Sequence, residues 1–470
     1  MSLFRTLTSR ASTSRTPASR ASASTSRPNA PLTSGGRNAG AAERLTGLLG
    51  TVLGGPPPVR LRAWDGSEAG PAHAPVVVLR SRRALRRLLW RPDEIGLAQA
   101  YIAGDLDIEG DLGAALSGLW KAARETGVRP PTLSVAGRLR AAATAVRLGA
   151  LGPRPPEPGA PRARLSGETH STSRDRAAIS HHYDLSNDFY ALLLDESMAY
   201  SCGYWTRPCD PDYGIADAQR DKLELICRKL ALTPGARLLD VGCGWGSLTL
   251  HAAREFGARV TAVTLSREQR DAVEARVREA GLTDLVTVRL CHYRELKGDP
   301  GGYDAVCAVE MGEHVGDAHY GEFASLLHAM LRPHGRLLVQ QMSRGANAPG
   351  GGPFIEQYIA PDMHMRPLGD TVNLLEGAGL EVCAVESLRE DYARTIAAWH
   401  RTLEERWEAF TAMVGDATAR VWRLYLVGGG LAFAERRMGV DQILAVRPSP
   451  DGTAALPASL AGWYDLGARR

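Results

Sequence analysis

Residues Arg237 to Thr249, RLLDVGCGWGSLT, set Gly242, Gly244 and Gly246 after a short apolar run that carries Asp240, and before the helix-like LTLHAAREF. Glycine belongs where backbone must come close to a ligand, and the free N–H groups opening a helix favour an electron-rich or anionic group. The pattern suits a nucleotide-type ligand. Its spacing is G-x-G-x-G, not the G-x-G-x-x-G of the dinucleotide fingerprint. A tight strand-to-helix turn without a ligand would look the same, so other residues must decide. Further polar residues end later apolar runs: Thr264, His292 and Tyr293, Glu310 to His314, and Gln340 to Met342. Upstream, Ser180 to Trp205 is dense in polar and aromatic groups.

The elements that must position these residues read as alternating strand and helix. Helix is expected over Ala216–Leu230, then strand, glycine turn and helix, then the strands ARVTAVT, LVTVRL, YDAVCAV and GRLLVQQM with helices between them. This alternation is the signature of a doubly wound parallel α/β sheet, whose ligands sit at the carboxyl ends of the strands. The residues named above fall at those ends. From Val59, LRAWDGSEAGPAHAPVVVLRS reads as two strands about an Asp-Gly turn, and SRRALRRLLWRPDEIGLAQAYIAG as a helix pair broken at Pro92. VWRLYLVGGGLAFA reads as a helix interrupted at Gly428, Gly429 and Gly430. GPFIEQYIAPDMHMR, from Gly352 to Arg366, supplies flexible apolar side chains suited to an acyl-chain tunnel or lid, and equally to core.

The chain has 470 residues with 44% hydrophobic and 23% charged composition, enough for two or three soluble domains. No apolar stretch is long enough for a transmembrane helix. Its seven cysteines form no C-x-x-C pair, which speaks for a reduced cytosolic protein and against a structural metal. The net charge of +4 is concentrated towards the N-terminus. Residues 1–45 are expected as a disordered basic tail, 56–125 as an N-terminal lipid or partner domain, and 126–170 as a basic helix and proline-rich linker. The main domain then spans 171–450, with 451–470 as a C-terminal tail. Arg80, Arg82, Arg83, Arg86, Arg87 and Arg91 form either a solvated face or a docking surface for anionic head groups. No nucleic-acid readout motif accompanies the basic tail.

The glycine turn, T-x-S-x-x-Q after the second strand and E-H-V-G after the fourth resemble class I, Rossmann-like methyltransferases that use S-adenosylmethionine. More narrowly, HYDLSNDFY, YSCGYW, LLDVGCGWG, VTLSREQ, EMGEHVG and DYARTIAAW resemble the cyclopropane-fatty-acyl-phospholipid synthase family. That family includes mycolic acid cyclopropane synthases and tuberculostearic-type fatty acid methyltransferases. The resemblance runs from about Ser180 to about Val446, with weaker similarity around LAQAYIAGDLDIEGDL.

The resemblance implies transfer of a methyl(ene) carbon to the cis double bond of a phospholipid acyl chain. A cyclopropane is the expected product, with a methylene or methyl-branched product, or a small-molecule substrate, as alternatives. It implies that Tyr200, Ser201, Asp240, Gly242, Gly244, Thr264, Gln269 and Tyr293 bind the cofactor. Cys202, Glu313, Tyr392 and Gln340 would hold a bicarbonate ion serving as base. Gln340 stands where the family has His and Met342 where it has Ile, while Val309-Glu310-Met311 is a feature of the methyl-branching members. The family's usual acid near the adenine is replaced by His292. A sulfonium methyl attacked by an alkene leaves a carbocation, so the site must be dry and walled by aromatic groups. The position of the base then chooses the product. An anionic membrane surface, a homodimer and a separate reductase are the expected partners, at the cytoplasmic face of the membrane. A catalytically silent lipid- or cofactor-binding protein is the rival of another class.

Overall fold

The computed structural model describes residues 39–53, 55–125, 143–163, 165–183, 186–296, 301–345 and 350–465. Most of the expected tail, and residues 126–142 of the expected basic helix, lie outside them. The tail ends earlier than expected, because Ala41–Leu53 is helical. Two compact units meet in sequence at Pro158 and Gly159.

In the first unit β1 (Arg60–Arg62) and β2 (Glu68–Ala69) pair antiparallel across the Asp65-Gly66 turn. The β-branched run β3 (Val76–Leu79) lies parallel to β1, and β4 (Leu106–Glu109) lies antiparallel to β3. The expected strand pair is thus three strands. The helix pair forms as read, Arg83–Trp90 and Glu94–Ile102. Pro92 forces Arg91 out of the helical region, and the Asp93 carboxylate restarts the next helix by accepting from the Gly96 N–H. The arginine run is not a free basic face. Arg80 pairs with Asp107, Arg83 and Arg87 with Asp105, and Arg91 with Asp93. Arg82 lies over the Trp64 ring and Arg86 donates to the Gly149 carbonyl. Sequence alone could not show this, because Asp105 and Asp107 arrive by strand pairing.

The second unit is built on seven strands in the order β10-β11-β9-β8-β5-β6-β7. They are β5 (Arg237–Val241), β6 (Arg259–Thr264), β7 (Val286–Leu290), β8 (Tyr303–Val309), β9 (Leu331–Ser343), β10 (Glu381–Ser387) and β11 (Gly439–Val446). Only β11 runs antiparallel to its neighbours among them. Leu238, Leu239, Val306, Cys307, Leu338 and Val339 are fully buried, as the apolar runs of a sheet covered on both faces require. Strand order reverses between β5 and β8, so their carboxyl ends open a crevice at the switch point.

Two readings are corrected. Asp416–Ala434 is one unbroken helix, and its glycines do not interrupt it. A side chain at Gly430 would meet Ile396 of the helix Arg389–Glu405 at 3.4 Å, so the bare backbone lets two helices approach. The expected C-terminal tail ends in the helix Ala461–Tyr464, which buries Trp463 against the core.

Candidate active site

The crevice is a cleft of about 1210 Å³, its mouth included, and all eight residues expected to bind the cofactor line it. Gly242, Gly244 and Gly246 have φ of +86°, +54° and +83°. A side chain at Gly242 would strike Met311 at 2.9 Å, whereas one at Gly244 would meet nothing within 4 Å and would project into open space. The loop is tied down from below, where Thr249 Oγ1 donates to Asp240 Oδ2 at 2.7 Å. Burial pushes the Asp240 carboxyl up to about 6.

At the end of β6, Thr264 Oγ1 donates to Gln269 Oε1 at 2.7 Å, and Ser266 caps the helix Arg267–Glu279 by accepting from the Gln269 N–H. Gln269, a cleft-lining residue, is left with its Nε2 buried and without a hydrogen-bond partner among the described residues, and Tyr293 Oη is likewise unpartnered. A buried donor left unpaired costs free energy until a ligand meets it. Orphan donors, a glycine turn with open space above it and a helix N-terminus fit the ribose, adenine and methionine parts of S-adenosylmethionine.

Two cleft residues were not expected. Asp175, from the helix Thr172–Tyr183, lies 3.1 Å from His292 Nε2. Burial pushes its carboxyl up, but hydrogen bonds with His170 and His292 prevail and hold it down to about 2. The acid that seemed to be missing beside Tyr293 is supplied from 117 residues upstream, where no local pattern marks it. Lys222, 1% exposed, donates to Ser201 Oγ at 2.8 Å. It did leave a signal, because it interrupts the apolar stripe of Ala218, Ile226 and Leu225 on the helix Ile215–Lys229.

The four expected catalytic residues converge unequally. Cys202, Gln340 and Tyr392 surround the carboxylate of Glu310. The Cys202 N–H donates to its Oε1 at 2.8 Å, Gln340 Nε2 to the same oxygen at 2.9 Å, and Tyr392 Oη to Oε2 at 2.6 Å. Gln340 is held in turn by Gln442 Nε2, and Gln442 by the buried Lys229. Glu313 lies apart from this hub. Its Oε1 accepts from the Met342 N–H, and its Oε2 has no partner among the described residues. Burial first, and the neighbouring Glu310 charge second, push the Glu313 carboxyl up to about 8. Burial raises the Glu310 carboxyl as well, against the pull of its donors Tyr392, Cys202 and Gln340 and of Lys222, so Glu310 is the better stabilised anion of the pair and Glu313 the one that keeps its proton at neutral pH.

Beside the hub is an aromatic compartment. Tyr200, a cleft residue, has its ring 5.3 Å from Trp399 and 5.5 Å from Tyr190, and Tyr392 stacks on Phe433 at 4.5 Å. Pro361 and Asp362, in the segment after Gly352, line the cleft. Arg174 clamps Asp362 by a bidentate pair at 2.6 and 2.9 Å.

Residues 170–443 match the profile of the mycolic acid cyclopropane synthetase family. This chain belongs to that family. It is an S-adenosylmethionine-dependent methyltransferase with a class I fold. The chain is 37% identical over 418 residues to a probable fatty acid methyltransferase of Pseudomonas putida, covering 87% of this chain and 96% of that one. It is 31% identical over 435 residues to the tuberculostearic acid methyltransferase UfaA1 of Mycobacterium tuberculosis, covering 90% and 94%. Among solved structures, the mycolic acid cyclopropane synthase CmaA1 complexed with SAH and CTAB is 29% identical. It superposes with a TM-score of 0.54 over 58% of this chain and 98% of its own.

Proposed function

We infer that the enzyme methylates the double bond of an unsaturated fatty acyl chain in a membrane phospholipid, and that the product carries a methylene branch and not a ring. The observation that carries this reading is the contact between two environments at Tyr200–Cys202. Tyr200 lines the cofactor cleft and packs on Trp399, while the Cys202 N–H holds the Glu310 carboxylate. The bound cofactor supplies an electrophilic methyl carbon. Aromatic faces at Tyr200, Trp399 and Tyr392 stabilise positive charge on the chain through their quadrupoles and keep out the water that would trap it. Pro361 and Asp362, the latter held by Arg174, wall the cofactor cleft.

Two features weigh towards a branch over the ring expected first. Relatives that align along nearly the whole chain carry fatty acid and tuberculostearic acid methyltransferase names, whereas the cyclopropane synthase CmaA1 covers 58% of it. Gln340 and Met342 also depart from the cyclopropane pattern, and Gln340 is locked between Glu310 and Gln442. In the branching route a hydride moves to the first cationic carbon before the delivered methyl loses its proton. A separate reductase would then saturate the branch.

No helix among the described residues is long and apolar enough to cross a membrane. Reaching an acyl chain therefore calls for peripheral docking at the cytoplasmic face. With the arginines internally engaged, Trp90 and Leu89, 59% and 51% exposed, are the better anchors.

The test is expression in a host rich in monounsaturated phospholipid, fed methyl-labelled methionine, followed by gas chromatography and mass spectrometry of the fatty acid methyl esters. Label should enter the acyl chains as a species that mild hydrogenation makes heavier by one H₂. A labelled species that resists hydrogenation means a cyclopropane. Label confined to water-soluble metabolites removes the lipid reading altogether.

A further inference from the structure

We propose that Glu310 is the base of this enzyme, a carboxylate built into the chain at the place where the family's resemblance implies a bound bicarbonate ion. The proposal rests on the acyl-methylation reading and adds to it the group that takes the proton.

Bicarbonate does not fit the residues present. The donors that would hold it are the Cys202 N–H, Gln340 Nε2 and Tyr392 Oη, and all three are spent on Glu310. The Met342 N–H is spent on Glu313. A second anion would meet the Glu310 charge with no donor left to offset it, at a cost no surface interaction repays. Glu310 offers the same chemistry as the ion, with two oxygens gripped from behind while the side chain still lines the cleft.

The backbone points the same way. Glu310 has φ of +51°, in the left-handed region where glycine sits without penalty and a residue with Cβ is strained. The first turn after β8 would be built more cheaply with glycine. A long acidic side chain kept there against that strain, and met by three donors, indicates that the carboxylate is what the position is for. Burial raises the Glu310 carboxyl, and the three donors and Lys222 work against that rise, whereas Glu313 has a single backbone donor and the Glu310 charge beside it.

The step balances. The π electrons of the alkene form the bond to the methyl carbon, and the C–S electron pair leaves with sulfur as S-adenosylhomocysteine. Glu310 then removes one proton from the cationic chain, and the C–H pair becomes the new C=C bond, or the ring bond if closure occurs. The resulting carboxylic acid returns its proton to water when product leaves.

The experiment uses the full chain, vesicles of monounsaturated phosphatidylglycerol and methyl-labelled S-adenosylmethionine, in CO₂-free buffer with and without added bicarbonate. Wild-type turnover should be the same in both to within about twofold, while Glu310→Gly should lose about 100-fold or more, the usual contribution of a general base. The glycine variant should bind S-adenosylhomocysteine as wild type does, and added bicarbonate or acetate should restore part of its rate. Glu310→Gln keeps the side-chain volume and should be equally slow without rescue. Titration of ¹³C-bicarbonate followed by NMR is independent of turnover: wild type should show no uptake and Glu310→Gly should gain it. A wild-type rate that depends on bicarbonate, bicarbonate uptake by wild type, or a Glu310→Gly variant that keeps its rate in CO₂-free buffer would each overturn the assignment. If no lipid is labelled by wild type, the acyl-chain reading fails, and the bicarbonate titration still decides for or against Glu310 as the ion's replacement.

Discussion

Glu313→Gln should make the protein more stable at alkaline pH, although it removes a charged residue type from a site that resemblance marks as catalytic. The side chain is 1% exposed, and burial together with the Glu310 charge raises its carboxyl from 4.5 to about 8. Because the folded protein holds this proton longer than the unfolded chain does, the stability linked to it is intact below about pH 4.5 and is lost as pH rises towards about 8. At about 1.4 kcal/mol per pH unit, the cost is under about 1 kcal/mol at pH 5 and roughly 4 kcal/mol at pH 8. Glutamine copies the uncharged acid: its Oε1 can still accept from the Met342 N–H, and no proton has to leave. The variant should therefore gain about 3 kcal/mol on wild type between pH 5 and pH 8, or about 1 M in urea midpoint for a slope near 3 kcal/mol/M. Urea unfolding followed by near-ultraviolet circular dichroism at pH 5, 6.5 and 8 measures this. Parallel pH curves for the two proteins would show that Glu313 is ionised throughout, and with it would go the division of charge between Glu313 and Glu310.

Gln269→Ala should weaken S-adenosylhomocysteine binding by about tenfold in isothermal calorimetry, because it removes the buried Nε2 donor that the cleft leaves unpaired. An unchanged Kd would mean that Gln269 Nε2 does not meet the cofactor. The glycines of the helix Asp416–Ala434 should respond in opposite directions. Gly428→Ala, with nothing within 4 Å, should raise stability by up to about 1 kcal/mol through helix propensity. Gly430→Leu, 3.4 Å from Ile396, should lower it by about 1–3 kcal/mol through overpacking. Equal melting shifts for the two would refute the close approach of the helices.

Where sequence reading succeeded, the physics was local. A buried parallel strand is a continuous apolar run, a glycine turn needs its glycines adjacent, and Ser266 caps a helix through the backbone N–H of Gln269 three residues on. The alternating α/β fold and the glycine turn followed from patterns of that kind, while the cofactor and the eight residues expected to bind it came from the family resemblance, and those eight line one cleft. Where it fell short, the deciding partner was distant in sequence. Asp175 reaches His292 across 117 residues, and Asp105 pairs with two arginines that sequence left open as a solvated face or a docking surface. The helix at Gly428 to Gly430 reads as broken until Ile396 is seen packed against it.

Glu310 and Glu313 bring the two cases together. Sequence offers both as carboxylates at one strand end, three residues apart, and motif matching selects Glu313. What separates them is environment: Glu310 meets three donors and has Lys222 nearby, while Glu313 has one donor and a neighbouring negative charge. Two carboxylates this close cannot both carry charge cheaply in a dry site, so the one with more donors ionises more readily and the other holds its proton longer. An acid at position 310 therefore changes what the acid at 313 can do. With Glu310 ionised, Glu313 no longer serves as an anion acceptor and becomes a neutral wall of the same chamber, so the motif residue and the reacting residue need not be the same one.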